Sequence, residues 1–240
     1  MRYLIGVDDT DNSKSSGTAA RVRRLAEWLQ ADRLADPYGI TRHQLYAHKG
    51  ISYTGHNTSV CLSLEAENVE AVWETARDFL ALEAERKAHT GLSLSRWDSV
   101  SRDVMEFGRR AKTEAVSLEE AEAAALRSRV RLVPVHGEGT GMIGALAAIG
   151  LHREGNDGRF AWLPGLPELQ GRHLIREILD NTRIDRVCAA DGTELPVDTV
   201  VELGEGTWPL LRDGQATLLV EEKKHGWYAL DKEQVKSLSD

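Results

Sequence analysis

The 240-residue chain carries 30 Lys and Arg residues against 38 Asp and Glu residues, for a formal net charge of −8. Its hydrophobic fraction of 41% and charged fraction of 28% are those of an ordinary globular protein and exclude a disordered one. The acidic balance gives no global signal for nucleic-acid binding, although it does not exclude a local basic patch. The two cysteines, Cys61 and Cys188, are far apart and indicate neither a disulfide framework nor a zinc ribbon.

The first half of the chain predicts the element order β-α-β-β-α-β, which is that of a ferredoxin-like unit. Apolar runs and alternation predict the strands, and spacings of three and four apolar residues predict the helices. The predicted elements are a strand over Tyr3–Val7, a helix over Gly17–Leu34, a strand over His43–Ala47, a strand containing Val60, Leu62 and Leu64, a helix over Val69–Phe79 and a strand over Thr90–Leu94.

The second half of the chain predicts helices first and short strands later. A capping-box pattern, Ser117 to Glu120, marks the start of one helix. The predicted elements are helices over Asp98–Gly108, Ser117–Arg127, Met142–Leu151 and Leu169–Leu179, a strand over Arg131–His136, strands over Thr199–Leu203, Ala216–Glu221 and Trp227–Leu230, and a fraying polar tail over Lys232–Asp240. We therefore predict an α+β fold in two domains: a ferredoxin-like unit over residues 1–112 and a second α/β lobe with a β-rich C-terminal segment over residues 113–240.

Three carboxylates crowd the loop that follows the first strand. Asp8, Asp9 and Asp11 would repel one another and raise one another's pKa values unless a cation lies among them. Hard oxygen ligands near substrate phosphates suit Mg²⁺, and ligands of sheet proteins gather at the carboxyl ends of strands. The alternative is a solvated loop in which Asp serves as a turn residue.

The exit of this loop is the run Ser15-Ser16-Gly17-Thr18-Ala19-Ala20, which opens a helix. The N–H groups at a helix N-terminus favour anions, so Thr18 is a candidate phosphate contact or phosphoacceptor. The alternative is a Ser or Thr N-cap followed by small residues packed on the sheet.

A third polar segment, His48 to Ser59, precedes an apolar strand. Lys49 could neutralise phosphate charge, His56 could shuttle a proton near neutral pH, and Asn57 could present its amide to a base or a ribose. The alternative is an ordinary surface loop.

A fourth motif, Gly139-x-Gly141-x-x-Gly144, lies after a predicted strand and before a helix. That is the local context of a dinucleotide fingerprint, but no clear strand follows with an acidic residue about 20 residues later, since Glu154 and Asp157 lie in a turn rich in Gly and Asn. Gly139, Thr140, Gly141 and Gly144 are therefore candidate nucleotide contacts. Tight helix packing is the equally supported alternative, and an NAD(P)-dependent oxidoreductase is a weaker third interpretation.

Taken together, these motifs resemble one known family. Gly6-Val-Asp-Asp-Thr-Asp11, Thr18 at the start of the next helix, and Gly141-Met-Ile-Gly-Ala-Leu-Ala-Ala-Ile-Gly150 are similar to the N-terminal half of archaeal tRNA-isoleucine agmatidine synthetases. Those enzymes use ATP to condense agmatine onto a cytidine of the anticodon. They join a kinase-like and a ferredoxin-like domain to an OB-fold and a zinc ribbon.

The resemblance implies ATP and Mg²⁺ as cofactors. It assigns Asp8, Asp9 and Asp11 as metal and ATP ligands and Thr18 as the residue that becomes phosphorylated. The chain departs from the family around Thr18, where a Cys and a second Thr are usual but the run here is Gly17-Thr18-Ala19-Ala20, and it has no Cys quartet. We expect the OB-fold and the zinc ribbon to be absent.

The function expected from this pattern is an ATP- and Mg²⁺-dependent phosphotransferase or ligase-like enzyme that acts on an unknown small-molecule acceptor. tRNA is expected as a substrate only if a partner supplies the binding module. The alternative is a non-catalytic nucleotide- or metabolite-binding regulatory protein. No apolar run reaches the roughly 20 residues that span a bilayer, so a cytoplasmic protein without membrane contact is expected.

Overall fold

One mixed β-sheet runs through the described part of the chain, which comprises residues 1–11, 17–48 and 57–239 of a computed structural model. The sheet has 12 strands, and helices cover both faces of its N-terminal half. The α+β class predicted from the sequence is therefore confirmed.

The N-terminal unit has the predicted order β-α-β-β-α-β. Its elements are β1 (Arg2–Asp8), α1 (Thr18–Ala31), β2 (Asp36–Gln44), β3 (Thr58–Glu65), α2 (Val69–Glu83) and β4 (Gly91–Arg96). The strands lie in the order β4-β1-β3-β2, and every pair is antiparallel. The first strand is therefore central, with a neighbour on each side, and its apolar run is buried on both faces.

Alternation along β1 divides the core into two layers. Ile5 and Val7 pack against the helices α1 and α2 on one face. Leu4 packs on the opposite face, against the helices that follow β4 in the chain. Because successive side chains of a strand point to opposite faces, Arg2 and Asp8 share the face of Leu4, at the two ends of the strand.

The face of Leu4 is covered by three helices. The elements after β4 are α3 (Arg102–Thr113), α4 (Leu118–Ser128), β5 (Arg131–Pro134) and α5 (Gly141–Glu154). The helix α5 packs on β1, β4 and α3 and is buried along most of its length. The predicted capping box is confirmed at the start of α4, where Glu120 N–H donates to Ser117 Oγ and Ser117 N–H donates to Glu120.

The C-terminal part is rich in strands, as predicted. Its elements are β6 (Arg159–Trp162), β7 (Gly171–Leu174), α6 (Ile175–Asn181), β8 (Arg186–Ala189), β9 (Val200–Leu203), β10 (Leu210–Arg212), β11 (Gln215–Lys223), β12 (Gly226–Ala229) and α7 (Lys232–Ser239). The strand β6 pairs with both β2 and β10 and so joins this part to the N-terminal sheet. A separate apolar cluster, which includes Ile178, Val201 and Leu218, forms its core. The domain boundary at residue 112 stays a prediction.

Three predicted elements differ from the structure in type or over most of their length, whereas others, such as α3, differ only in their boundaries. The second strand was expected over His43–Ala47 but runs from Asp36 to Gln44, because Pro37 and Gly39 lie at a register shift between strands rather than in a turn. The helix expected over Leu169–Leu179 is replaced by β7 and the short α6, since Gly171 has a left-handed φ of 84°. The tail expected to fray instead forms α7, which Asp231 caps and Val235 anchors in the core.

Both cysteines are buried and unpaired, as the sequence indicates. Among the described residues, no helix is long and apolar enough to cross a bilayer.

The packing of α5 on the sheet depends on close backbone contact at glycines, so Gly6→Ala should overpack this interface. A Cβ at Gly6 would lie 1.9 Å from the Ala145 carbonyl oxygen. We expect a loss of about 1–3 kcal/mol in the free energy of unfolding, measured by urea titration. Gly204→Ala is the matched control, because a Cβ there would meet nothing within 4 Å. Equal stability of the two variants would contradict the packing account.

Candidate functional site

The first acid of the loop, Asp8, is the last residue of β1 and lies against the first turns of α5. A Cβ at Gly144 would be 1.8 Å from Asp8 Oδ2, so only glycine accommodates this carboxylate beside the helix. The other oxygen, Oδ1, accepts a hydrogen bond from the Asp9 N–H at 2.7 Å. Burial raises the pKa of Asp8 well above its usual value, and the charges of Asp9 and Asp11 act in the same direction. The site thus holds a carboxylate whose negative charge is poorly compensated.

The second acid, Asp9, shapes the turn that follows β1. Its φ of 50° is left-handed, a conformation that Asp tolerates better than most residues. Its Oδ2 accepts the His89 N–H at 2.9 Å, and its backbone carbonyl accepts the Thr90 hydroxyl at 2.7 Å. Asp9 therefore ties the end of β1 to the residues that enter β4.

The third acid, Asp11, meets Thr18 at the start of α1. The Thr18 hydroxyl donates to Asp11 Oδ1 at 3.1 Å, and the Thr10 hydroxyl lies 3.1 Å from the Thr18 oxygen. Burial raises the pKa of Asp11, and the hydrogen bond from Thr18 partly opposes that shift. The helix is entered from Gly17, whose left-handed φ of 85° suits glycine. The predicted N-cap candidates Ser15 and Ser16 lie outside the described residues.

A buried arginine, Arg21, supports this arrangement and was missed by the sequence analysis. Only 7% of Arg21 is exposed, and its Nη1 donates to the Thr10 carbonyl and, at 2.9 Å, to the Thr10 hydroxyl. Its Nη2 lies 4.0 Å from Glu85. Within the described part of the chain its Nε is buried without a hydrogen-bond partner. The sequence did offer one indication of its role. Arg21 lies three residues after Thr18, so the two residues share one face of the helix.

The glycine-rich motif comes to the same end of β1. Gly141 is the first residue of α5, and its N–H donates to the His89 carbonyl at 2.9 Å. A Cβ there would be 2.6 Å from that carbonyl oxygen and 2.9 Å from the Asp8 carbonyl oxygen. The packing interpretation therefore accounts for Gly141 and Gly144. Gly139 is buried with a φ of 77°, whereas Thr140, just before the helix, is exposed.

The segment between β2 and β3 is described only at its ends. Lys49 and His56, which the sequence predicts as phosphate and proton-transfer residues, lie outside the described residues. Asn57 Nδ2 donates to the Tyr46 carbonyl at 2.6 Å, so the amide links the two ends of this segment. The register that pairs Val7 with Val60 places Asn57 at the same end of the sheet as Asp8.

No three His, Cys, Asp or Glu side chains within the described ranges converge into a group that could hold a metal. The structure thus brings Asp8, Asp11 and Thr18 to one end of β1, with α5 alongside. The Asp9 side chain instead accepts the backbone N–H of His89, just before β4.

The buried Asp8 carboxyl should make stability depend on pH. Its pKa is raised on folding, so the folded state holds the proton more tightly. Stability is therefore lost as pH rises from about 3.9, the unperturbed value, through the folded pKa. We expect Asp8→Asn to remove part of this loss, so that the variant is more stable than the wild type above neutral pH and the difference shrinks at acid pH. Thermal unfolding between pH 4 and pH 8 measures this. Parallel curves for both proteins would contradict the assignment.

Comparison with curated proteins finds a relative that matches part of the chain. An uncharacterized protein of Methanocaldococcus jannaschii is 30% identical over 152 residues, which cover 62% of this chain and 50% of that protein. The chain therefore spans about half the length of the curated relative it matches. No family model matches the chain.

Solved structures of TiaS, an agmatidine synthetase that modifies an isoleucine tRNA, share the fold. The apo enzyme superposes with a TM-score of 0.55 at 22% identity, and its complex with tRNA and ATP does so with 0.55 at 23%. The complex with tRNA, AMPCPP and agmatine gives 0.54 at 22%. Each match covers 62% of this chain but only 35% or 36% of the synthetase. At this identity the likeness establishes a common fold over that part of the chain, as the sequence motifs predict.

Proposed function

We propose that the chain is an ATP-using, Mg²⁺-dependent phosphotransferase or ligase-like enzyme whose reacting centre is the loop between β1 and α1. One observation carries this proposal: the Thr18 hydroxyl, at the first residue of α1, donates to the Asp11 carboxylate. A hydroxyl next to a carboxylate is the arrangement that a nucleophile and its general base require. The fold shared with TiaS, which was solved with ATP and with AMPCPP, supports a nucleotide substrate.

The donor set fits a hard cation. Asp8 and Asp11 offer carboxylate oxygens, and burial raises the pKa of both groups, which means that a positive charge nearby would relieve an existing electrostatic cost. Mg²⁺ prefers one or two carboxylates together with substrate phosphates, so three converging acids are not required. Bound there, Mg²⁺ would neutralise phosphate charge. Asp9 is the weakest of the three predicted ligands, because its Oδ2 already accepts the His89 N–H.

The phosphoryl step can be written with the residues of this loop. The Thr18 oxygen forms a bond to the γ-phosphorus of ATP while the bond from that phosphorus to the β-phosphate bridging oxygen breaks, leaving ADP. The Thr18 proton passes to Asp11, which already accepts it in a hydrogen bond. The N-terminus of α1 favours the negative charge that arrives on Thr18. Arg21 acts as a positioning residue because it holds Thr10, which in turn contacts the Thr18 hydroxyl.

The proposed acceptor substrate is inferred from the fold that the chain shares with TiaS. TiaS was solved with agmatine and a tRNA, so an amine acceptor and an RNA substrate are the first candidates for this chain. The net charge of −8 favours an RNA substrate only if a partner supplies the basic binding surface. The exposed Thr140 and buried Gly139, before α5, are proposed to contact the nucleotide, together with Asn57 and with Lys49 and His56 of the preceding segment.

Incubation with ATP and Mg²⁺, with and without agmatine, tests the proposal. Without agmatine, we expect ADP and an intact-protein mass increased by one phosphate that maps to Thr18. AMP with phosphate or pyrophosphate, formed when agmatine is added, would report a ligation step. Asp8→Asn should abolish nucleotide turnover, and Thr18→Val should remove the mass increase, because the nucleophile is gone. Asp103→Asn is the matched control, since Asp103 is an exposed acid on α3 that pairs with Arg127.

Three outcomes separate the alternatives. Saturable binding of ATP without any product would replace the enzyme by a nucleotide-binding regulatory protein. Turnover that survives in Asp8→Asn would remove the metal assignment. An increase in NAD(P)H fluorescence on mixing with the protein would support the oxidoreductase interpretation. The close packing around Gly141 and Gly144 argues against that interpretation.

A further inference from the structure

A cavity lies at the opposite end of β1, in a region that no sequence motif marks. This cavity, of about 470 Å³, opens between the start of β1, the end of α5 and the C-terminal strands. Its lining includes the polar residues Arg2, Ser63 and His152 and the apolar residues Phe160, Leu163 and Leu211. Six residue steps along β1, at about 3.3 Å each, place it roughly 20 Å from Asp8. Its volume falls within the range of small-molecule sites.

The cation of the cavity is Arg2. Its Nε donates to Ser63 Oγ at 2.9 Å, and its guanidinium carbon lies 5.0 Å from the Tyr38 ring centroid and 5.4 Å from that of Trp97. These contacts orient the planar group through two aromatic rings. Burial lowers the pKa of Arg2 despite nearby acids, so its positive charge is incompletely compensated. An anion in the cavity would supply that compensation.

Two other charged groups stand at the cavity. The Arg183 guanidinium lies 5.0 Å from the centroid of the same Tyr38 ring and pairs with Asp36. Asp185 is an acidic residue of the lining, and its Oδ2 accepts the Ala216 N–H at 2.6 Å. Asp36 therefore offsets the charge of Arg183, whereas Arg2 has no ion pair of this kind among the residues that the structure describes and is influenced by Asp185 and Glu65.

A chain of buried hydrogen bonds reaches the cavity from α3. Lys112 and His43 both bind Asp157, the His43 contact joining Nδ1 to Oδ1 at 2.8 Å. Thr41 Oγ1 lies 2.8 Å from His43 Nε2 and 2.8 Å from His152 Nδ1. His43 and Thr41 are fully buried, and His152 is 3% exposed.

The protons of this chain can be assigned from its connections. Lys112 and His43 hold the pKa of Asp157 below its usual value despite burial, so Asp157 is ionised and His43 Nδ1 must carry the proton between them. When Nδ1 is the only protonated nitrogen of His43, Nε2 accepts the Thr41 hydroxyl. Nε2 lies 2.8 Å from that hydroxyl, nearer than its alternative acceptor, the Cys61 carbonyl at 3.4 Å. His152 Nδ1 in turn donates to Thr41, which leaves His152 Nε2 with a lone pair.

His152 is also kept neutral. Burial lowers the pKa of His152 well below its usual value, and the positive charge of Arg2, together with any positive charge on His43, acts in the same direction. A neutral imidazole with a fixed tautomer is a hydrogen-bond acceptor of defined direction. The cavity therefore combines a cation, a hydroxyl, an imidazole acceptor and an apolar wall.

We propose that this cavity binds a small organic anion whose oxyanion pairs with Arg2 and whose hydrogen-bond donor reaches His152. The proposal is independent of the nucleotide site, which lies at the other end of the strand. An oxyanion can be a carboxylate or a phosphate, and both would use the same guanidinium. The apolar wall favours a ligand with a ring or a short hydrocarbon body over a bare inorganic ion.

Calorimetric titration of the full chain with three isosteric probes tests the charge preference. The probes are para-hydroxybenzoate, para-hydroxybenzamide and para-hydroxybenzamidinium, which share the hydroxyl donor and differ in charge. We expect the anion to bind at least about tenfold more tightly than the amide, which corresponds to the strength of one charge-assisted hydrogen-bonded contact. Phenyl phosphate, titrated in parallel, distinguishes a phosphate from a carboxylate site.

Arg2→Met should weaken binding of the anion at least about tenfold. Arg153→Met is the matched control, because Arg153 also stacks on Trp97, at 3.9 Å, and is not part of the cavity lining. Binding of the anion that is unchanged in Arg2→Met, a preference for the amidinium, or no binding of any probe at millimolar concentration would each overturn the proposal.

A measurement on the wild-type protein tests the proposal even if the Arg2→Met variant fails to fold. With ¹⁵N-labelled histidine, His152 should show a protonated Nδ1 and an unprotonated Nε2, and para-hydroxybenzoate should shift the Nε2 signal. A protonated Nε2 in the free protein, or no shift at saturation, would contradict the assigned acceptor.

Discussion

The contact on which the rest of this structure depends is the close approach of α5 to the backbones of β1 and β4. A Cβ at Gly91 would be 2.2 Å from the Gly141 carbonyl carbon, and one at Gly6 would be 1.9 Å from the Ala145 oxygen. Four glycines, two on the strands and two on the helix, therefore set the distance between the layers. Because the helix lies so close, its first turns touch Asp8, and the acid loop is held at a fixed place relative to the sheet.

The same contact gives the two ends of β1 different electrostatic environments. The N-terminus of α5, with its partial positive charge, lies beside Asp8, and its C-terminal turn carries His152 to the cavity near Arg2. Asp8 and Arg2 share one face of the strand, so each charge meets the helix end of opposite partial sign. This arrangement offsets part of the cost of burying both groups.

Local patterns in the sequence predicted what depends on local physics. The element order of the first 96 residues, the capping box of Ser117 and the clustering of Asp8, Asp11 and Thr18 all follow from periodicity and turn chemistry. The extent of β2 did not, because Pro37 and Gly39 disfavour a strand until β3 and β6 pair with this segment. Arg21 and the chain from Asp157 to His152 were also missed, since their partners lie in other elements and no spacing along the sequence marks them.

The proposed function requires a cation to join the nucleotide at Asp8 and Asp11. The most direct test uses Mn²⁺ as a paramagnetic substitute for Mg²⁺, titrated with a non-hydrolysable ATP analogue into the ¹⁵N-labelled protein. The account predicts that amide signals of Thr18 and Gly144 broaden at lower Mn²⁺ concentrations than those of Arg2 and His152, roughly 20 Å away along the strand. It also predicts that Asp8→Asn removes this difference. Broadening that begins elsewhere, or that is the same in the variant, would contradict the account.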